Sequence, residues 1–217
     1  MIYVADPRTF DDALLQRLLP LLPPEKQASI EKIVHFPTKR QAIAAWALLV
    51  YALRTCGQDL PPLRFSETGK PAFQNGTLHF NLSHTDTLVC AAVADSPVGV
   101  DIQSPAAPSD GVIRRVLSRE EQDLLARTDD KTALFTRFWT QKEAYAKWTG
   151  EGLSCGFSSC SFAPYAQAES FSAFGTQFRV WQFPDAVLTV CCETQMHQTL
   201  CVTPQMLEST LFCAANG

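Results

Sequence analysis

The sequence FWTQKEAYAK, at residues 138–147, is the most informative stretch of the 217-residue chain. Its apolar residues belong to an amphipathic pattern that predicts a helix from about Lys131 to Trp148. Glu143 and Lys147 are four residues apart, so they share one face of this helix. On a solvated helix they would form a surface ion pair worth roughly a few tenths of a kcal/mol. Because aromatic residues surround the pair, we expect a partly buried helix, where an acid between two lysines suits a site for a divalent cation and phosphate.

Three strands are predicted upstream of this helix. Phe80–His84 alternates apolar and polar side chains, Leu88–Ala94 is almost continuously apolar, and Val98–Ile102 follows the turn residues Asp95–Pro97. Their close spacing predicts a meander of neighbouring strands. Asp101 lies at the end of the third strand, where a partly buried carboxylate needs a cation or hydrogen-bond donors. The alternative is an aspartate that caps the following turn.

The remaining segments complete an α+β pattern. Ser118 is followed three residues later by Glu121, which matches a capping box for a helix that ends near Arg127. The proline- and serine-rich stretch at residues 103–110 is the best linker candidate. Further strands are predicted at residues 1–5, 178–183 and 186–193, and further helices at 11–22 and 25–53, the latter broken near Pro37. We therefore expect two lobes, residues 1–103 and 104–217.

The composition excludes several classes of protein. Lys and Arg number 18 against 22 Asp and Glu, a net charge of -4, whereas nucleic-acid-binding proteins usually need a basic surface. No apolar stretch approaches the roughly 20 residues of a membrane span, and no signal peptide is recognisable. The eight cysteines form no C-x-x-C pair, which favours reduced thiols over a zinc site or a disulfide framework. We expect a cytoplasmic protein that binds neither nucleic acid nor membranes.

The basic residues are concentrated in the first part of the chain. Seven lie between Lys26 and Lys70 against three acids, whereas after Gly150 only Arg179 is basic. This asymmetry would draw an anionic small ligand to the first lobe, although an ordinary solvated helix surface is the more usual explanation of such charges. Two short motifs in the same region are weak on their own: Ser83-His84 at a strand end, and the rigid loop at residues 69–71 that presents Lys70.

Taken together, four segments resemble the signatures of the 4'-phosphopantetheinyl transferases in order and in spacing. They are GKP at residues 69–71, FNLSH at 80–84, VGVD at 98–101 and FWTQKEAYAK at 138–147. The chain length and the basic first half resemble the surfactin-synthetase-activating type of this family. The resemblance covers roughly residues 25–155. It implies one chain with two pseudo-symmetric lobes, each an antiparallel sheet packed with helices, and an active site in the cleft between them.

The resemblance also implies the reaction. Enzymes of this family transfer the 4'-phosphopantetheine arm of coenzyme A (CoA) to a serine of an apo acyl or peptidyl carrier protein and release adenosine 3',5'-bisphosphate. Mg²⁺ bridges the pyrophosphate and would be held here by Asp101 and Glu143. Lys147, with Lys142, would neutralise charge that builds on the pyrophosphate. Glu121 resembles the family's acidic residue after the F-S-x-x-E element and would be the general base, with Glu143 as the competing candidate.

Other residues correspond to those that hold the nucleotide's phosphates. By resemblance these are Arg40, Lys70, Ser83 and His84, with Lys26 and Lys39 as looser candidates for the 3'-phosphate. One position departs from the family pattern: many relatives carry a glutamate as a third metal ligand where this chain has Gln103. An amide carbonyl can bind a hard cation but adds no charge, so we expect an intact site with weaker affinity for magnesium.

Two other functions compete with the transferase. A non-catalytic relative that binds CoA or a carrier protein is suggested by Gln103 but opposed by the intact Lys142-Glu143-Lys147 helix. A magnesium-dependent phosphohydrolase would need a P-loop or a cluster of several carboxylates, which the sequence lacks. The sequence leaves open whether the carrier belongs to fatty-acid, polyketide or nonribosomal peptide synthesis. The duplicated architecture would allow a monomer to function alone.

Overall fold

The computed structural model describes residues 1–66, 69–74, 76–150, 152, 156–194, 196 and 198–212. These residues form two compact units. The described residues among 1–96 and 197–217 make up the first unit, and those among 97–196 make up the second. Both units combine helices with a four-stranded sheet, so the α+β class predicted from the sequence is confirmed.

The first unit contains a sheet with the strand order β10-β1-β5-β4 and a separate hairpin of β2 and β3. The strands are β1 (Ile2–Ala5), β2 (Leu63–Phe65), β3 (Pro71–Phe73), β4 (His79–His84), β5 (Val89–Ala94) and β10 (Thr199–Cys201). Pairing is antiparallel except at the edge, where β10 runs parallel to β1 with Ile2 opposite Thr199. This parallel edge differs from the expectation of purely antiparallel sheets, and it brings the end of the chain back to its beginning.

The core of the first unit forms around its longest helix. The helices are α1 (Asp12–Leu18), α2 (Pro24–Glu31), α3 (Phe36–Thr55) and α7 (Pro204–Phe212). Residues 43–53 of α3 are all buried, because they pack against the sheet on one side and against the other helices on the other. The predicted break near Pro37 is confirmed, since this proline lies in the first turn of α3, where its missing N–H costs no hydrogen bond.

The second unit is a fully antiparallel sheet with the strand order β6-β9-β8-β7 and three helices. Its strands are β6 (Val98–Gln103), β7 (Ser170–Ala173), β8 (Thr176–Phe183) and β9 (Ala186–Cys192), and its helices are α4 (Asp110–Val116), α5 (Arg119–Arg127) and α6 (Lys131–Thr149). The capping box of Ser118 and Glu121 at the start of α5 is present as predicted.

The predicted three-stranded meander is wrong in its last strand. β4 and β5 pair as expected, but β6 pairs with β9 of the second sheet, with Val98 opposite Cys192 and Gln103 opposite Val187. The boundary between the units therefore falls between Ser96 and Pro97 instead of after Gln103, and the C-terminal segment belongs to the first unit. Strand spacing could not reveal this, because the partner of β6 is more than 80 residues away along the chain.

One glycine allows β6 and α6 to pack backbone against backbone. A Cβ atom on Gly99 would overlap the carbonyl oxygen of Ala144 and lie 2.5 Å from the amide nitrogen of Trp148. Only glycine permits so close an approach of strand and helix. Side chains alternate along a strand, so Asp101 and Gln103 project from the same side of β6 as Gly99, toward α6. Among the described residues, no helix is long and apolar enough to cross a membrane.

Candidate active site

Asp101 and Lys147 form a partly buried ion pair between β6 and α6. The Lys147 ammonium nitrogen lies 2.7 Å from Asp101 Oδ1, and it also donates to the Val100 carbonyl oxygen at 3.0 Å. The Asp101 side chain is 8% exposed and that of Lys147 27%. The contact holds the carboxylate of β6 against the face of α6 that carries Glu143.

Glu143 lies close enough to Asp101 for their charges to interact. The pKa of the Glu143 carboxyl is raised above its ordinary value, chiefly because burial disfavours the charged form and secondly because Asp101 is negative. The positive charge of Lys147 partly offsets this rise. Two carboxylates and one ammonium group therefore share a single partly buried site within the second unit.

Gln103 borders a small cavity next to this site. The cavity has a volume of about 230 Å³ and is bounded by the segment that follows β6 and by α6. Its walls are mostly apolar and include Val112, Phe135 and Trp139. The sequence predicted a linker at residues 103–110 but gave no sign that its small residues would form the wall of a cavity.

The donor set of this site fits a hard divalent cation. Asp101 and Glu143 supply carboxylate oxygens, and Gln103, on the same side of β6 as Asp101, supplies an amide oxygen. Magnesium is usually bound by one or two carboxylates, with water and phosphate oxygens completing its octahedron. Within the described ranges, no cluster of three or more His, Cys, Asp or Glu residues could hold a metal ion. With glutamine at position 103, Asp101 and Glu143 are the two carboxylates that a cation could use here among the described residues.

Glu121 and Lys142 lie elsewhere in the second unit, in a completely buried ion pair. The Lys142 nitrogen is 2.9 Å from Glu121 Oε2, and both side chains are 0% exposed. The Glu121 carboxylate also accepts from the amides of Ser118 at 2.7 Å and Phe162 at 2.8 Å. This placement differs from the expectation that Glu121 and Lys142 face the substrate.

The buried pair connects three separate segments of the second unit. Lys142 belongs to α6, Glu121 to the first turn of α5, and Lys142 also donates to the carbonyl oxygen of Phe157 at 2.6 Å and to that of Cys160. Phe157 in turn lies edge-on to Trp139, with ring centroids 6.3 Å apart. The pair thus ties residues 157–162 to α5 and α6. The sequence offered no signal for this contact, because this segment has no periodic pattern.

In the first unit, two of the basic residues expected at the nucleotide, Lys26 and Arg40, are packed against aromatic rings. Lys26 lies over Trp46 and Phe65, at 5.3 and 4.8 Å from the ring centroids, and burial lowers its pKa. The Arg40 guanidinium lies 4.8 Å from the Phe36 ring, and its buried Nε has no hydrogen-bond partner among the described residues. Such a donor is suited to an anionic ligand.

The other expected nucleotide-binding residues lie at turns of the first unit. Ser83 and His84 end β4, and Gln41 of α3 donates to Asp86 in the following turn at 3.0 Å, which ties that turn to the helix that carries Arg40. Lys70 ends the β2–β3 turn, where its amide donates to the Ser66 hydroxyl at 3.0 Å. Lys39 is half-buried in the first turns of α3.

Comparisons with known proteins identify the family of the chain. The 4'-phosphopantetheinyl transferase superfamily matches residues 97–191, which is nearly the whole second unit. The chain is 32% identical to the 4'-phosphopantetheinyl transferase psf-1 of Bacillus pumilus, over 67% of this chain and 65% of the relative. It is 31% identical to Sfp of Bacillus subtilis strain 168, over 67% and 68% of the two chains, and 30% identical to ffp of Bacillus subtilis, over 74% and 73%.

The matched region thus spans about two thirds of the length of these relatives, 65% in the case of psf-1. All three relatives are named as 4'-phosphopantetheinyl transferases, which are enzymes. The family predicted from the four sequence motifs is confirmed, and this chain belongs to the 4'-phosphopantetheinyl transferase superfamily, as a member of the Sfp type.

Proposed function

We propose that this protein transfers 4'-phosphopantetheine from CoA to a serine of an apo carrier protein, releases adenosine 3',5'-bisphosphate and requires Mg²⁺. The observation that carries the proposal is the close grouping of Asp101, Glu143 and Lys147 in a partly buried site. Two acids and one lysine are the groups needed to bind a cation and a pyrophosphate together.

In this proposal each residue of the site has a separate task. Asp101 and Glu143 would hold the cation, with the Gln103 carbonyl or water as a further ligand, and the bound ion would neutralise charge on the pyrophosphate. Lys147 would donate to a phosphate oxygen and stabilise the negative charge that grows on the leaving bisphosphate. Positioning and charge stabilisation therefore supply most of the rate enhancement.

The serine hydroxyl must lose its proton as its oxygen attacks the β-phosphorus and the bond to the bridging oxygen breaks. We assign the proton to Glu143, because its carboxylate lies in the site with Asp101 and Lys147, where the attacked pyrophosphate would be held. We do not assign it to Glu121, whose carboxylate is sealed from solvent and already accepts from two amides and from Lys142. Lys142 is likewise too buried to donate to the pyrophosphate.

For the nucleotide end of CoA, we propose binding to the basic residues of the first unit. The best supported by their surroundings are Arg40, whose Nε lacks a hydrogen-bond partner in the described part of the chain, and Lys26, on the rings of Trp46 and Phe65. Arg40 would donate to a phosphate oxygen. Lys70, Ser83, His84 and Lys39 remain proposals that rest on family resemblance.

Incubation with CoA, Mg²⁺ and a panel of apo carrier proteins tests the function. We expect the mass of at least one carrier to increase by one phosphopantetheine group, and the relative rates to show whether the natural carrier is of the fatty-acid, polyketide or peptide type. Glu143→Gln should abolish the transfer while the fold persists. If no carrier is modified although CoA binds, the protein is the non-catalytic relative that the glutamine at position 103 suggests.

A further inference from the structure

The lysine of the candidate site contacts one oxygen of the carboxylate that would also hold a metal ion. Lys147 donates to Asp101 Oδ1 at 2.7 Å, and a further hydrogen bond to the Val100 carbonyl oxygen at 3.0 Å anchors the ammonium beside that carboxylate. Asp101 is the more buried partner, with 8% of its side chain exposed. A cation that approaches Asp101 therefore meets a positive charge already in contact with its ligand.

Because Asp101 and Glu143 are both acidic, the contact between Lys147 and Asp101 affects how strongly a cation can bind at this site. The carboxylates of Asp101 and Glu143 repel one another, which is one cause of the raised pKa of Glu143, and Lys147 reduces that repulsion. A divalent cation would relieve the same repulsion, so Lys147 and the cation stabilise the same pair of acids. Two positive groups that compete for one carboxylate weaken each other's binding.

We propose that Lys147 takes the place of the metal on Asp101 while no nucleotide is bound, and so keeps the affinity of the site for free Mg²⁺ low. Arrival of the pyrophosphate gives the ammonium another anionic partner and releases Asp101 to the cation. The metal then binds tightly only together with its nucleotide. The second of these steps rests on the proposed function, whereas the competition on Asp101 does not.

Metal binding in the absence of CoA and carrier tests the competition directly. We expect Mn²⁺, followed by its free electron-spin-resonance signal, to bind the unmodified protein weakly and Lys147→Met about 10- to 100-fold more tightly, since one positive charge at contact distance has been removed. Lys131→Met is the matched control, because Lys131 is an exposed lysine in the first turn of the same helix. Its affinity for Mn²⁺ should stay within about twofold of the unmodified value.

Thermal unfolding with and without Mg²⁺ gives a second measurement that a merely structural role would not alter. The melting temperature of Lys147→Met should rise with added Mg²⁺, and that of the unmodified protein should change little. If Lys147→Met does not fold, Lys147→Gln keeps a hydrogen-bond donor to Asp101 without the charge and should show the same gain in affinity. Equal Mn²⁺ affinities in the unmodified and substituted proteins would overturn the proposal.

Addition of CoA separates this inference from the proposed function. In the unmodified protein we expect CoA to raise Mn²⁺ affinity strongly, and in Lys147→Met to raise it less, because Asp101 is already accessible there. If no carrier is modified and CoA has no effect on metal affinity, the proposed function fails. The tighter Mn²⁺ binding of Lys147→Met without nucleotide would still support the competition on Asp101.

Discussion

Replacement of Glu121 by glutamine should damage the stability of this protein, and we expect little effect on the chemical step once the fold is formed. The glutamine would keep the shape of the side chain but remove its charge. Lys142 would then be a fully buried ammonium group with only carbonyl oxygens, those of Phe157 and Cys160, among the partners described above. The new amide nitrogen would also face one of the backbone N–H groups that now donate to Glu121 at 2.7 and 2.8 Å.

The size of the effect follows from the burial of the pair. Removal of one partner of a buried ion pair typically costs about 3–5 kcal/mol, because the other charge is left uncompensated. For a protein of this length that corresponds to a melting temperature lower by roughly 6–20 °C. The double variant Glu121→Gln/Lys142→Met leaves no buried charge. Its loss of stability should therefore be smaller than the sum of the two single losses by about 1–3 kcal/mol.

Urea unfolding followed by tryptophan fluorescence measures these losses, since Trp139 and Trp148 lie on α6 beside Lys142. Glu120→Gln is the matched control, because Glu120 is the exposed neighbour of Glu121 and its carboxylate accepts from the Ser161 hydroxyl at 2.6 Å. Removal of the Glu120 charge should change the free energy of unfolding by less than about 0.5 kcal/mol. The reasoning is refuted if Glu121→Gln unfolds like the unmodified protein but transfers phosphopantetheine orders of magnitude more slowly. That result would make Glu121 the general base.

Further substitutions test other parts of the structure. Glu143→Gln should stabilise the protein at neutral pH. The pKa of Glu143 is raised in the folded state, so the folded protein binds this proton more tightly than the unfolded chain and loses stability as pH rises through the raised pKa. Thermal melts should show that the gain from the substitution vanishes below about pH 4.5, the ordinary pKa of the carboxyl. Gln103→Glu should lower the Mg²⁺ concentration needed for half-maximal transfer, and an unchanged requirement would place Gln103 away from the ion. Gly99→Ala should destabilise by roughly 3 kcal/mol or more in urea, since its methyl group would overlap the backbone of α6; wild-type stability would contradict the packing. Gln141→Leu should stabilise the protein by about 1–3 kcal/mol, because both amide atoms of this fully buried side chain lack hydrogen-bond partners within the described ranges. A loss of stability would point instead to a bound internal water.

Local patterns predicted the elements of this fold better than their pairing. The capping box at Ser118, the break near Pro37 and the helix that starts at Lys131 depend on residues within a few positions of one another, and all are present. Pairing of β6 with β9 depends on residues 98 and 192, which no local pattern connects. The return of β10 to β1 is equally non-local, so the sequence could indicate neither the unit boundary nor the parallel edge.

The candidate site shows the same division between residue type and surroundings. Spacing in the sequence indicated that Glu143 and Lys147 share a helical face, and the family resemblance added Asp101 from a distant strand; the structure places all three together. The burial of Glu121 and Lys142 could not be predicted. The burial depends on residues 157–162, which hydrogen-bond to both members of the pair. Their sequence has no helical or strand periodicity that would predict this contact. A family motif therefore indicates which charged residues matter to the protein. Whether such a residue can contact the substrate or only stabilises the fold depends on whether its side chain is sealed from solvent.

The adjacent residues Lys142 and Glu143 illustrate why a motif must be interpreted from residue type and burial together. Consecutive side chains on a helix point about 100° apart, so the two cannot face the same environment. Lys142 is fixed in the interior by Glu121 and two carbonyl oxygens, and this anchor sets the rotation of α6 about its axis. With that rotation set, Glu143 and Lys147 are directed toward Asp101, while Gly99 sets how closely β6 approaches the same helix. The buried Lys142 thus supports the site by orienting Glu143. If α6 were shifted by one residue, Glu143 would take the buried position of Lys142 and would no longer face Asp101.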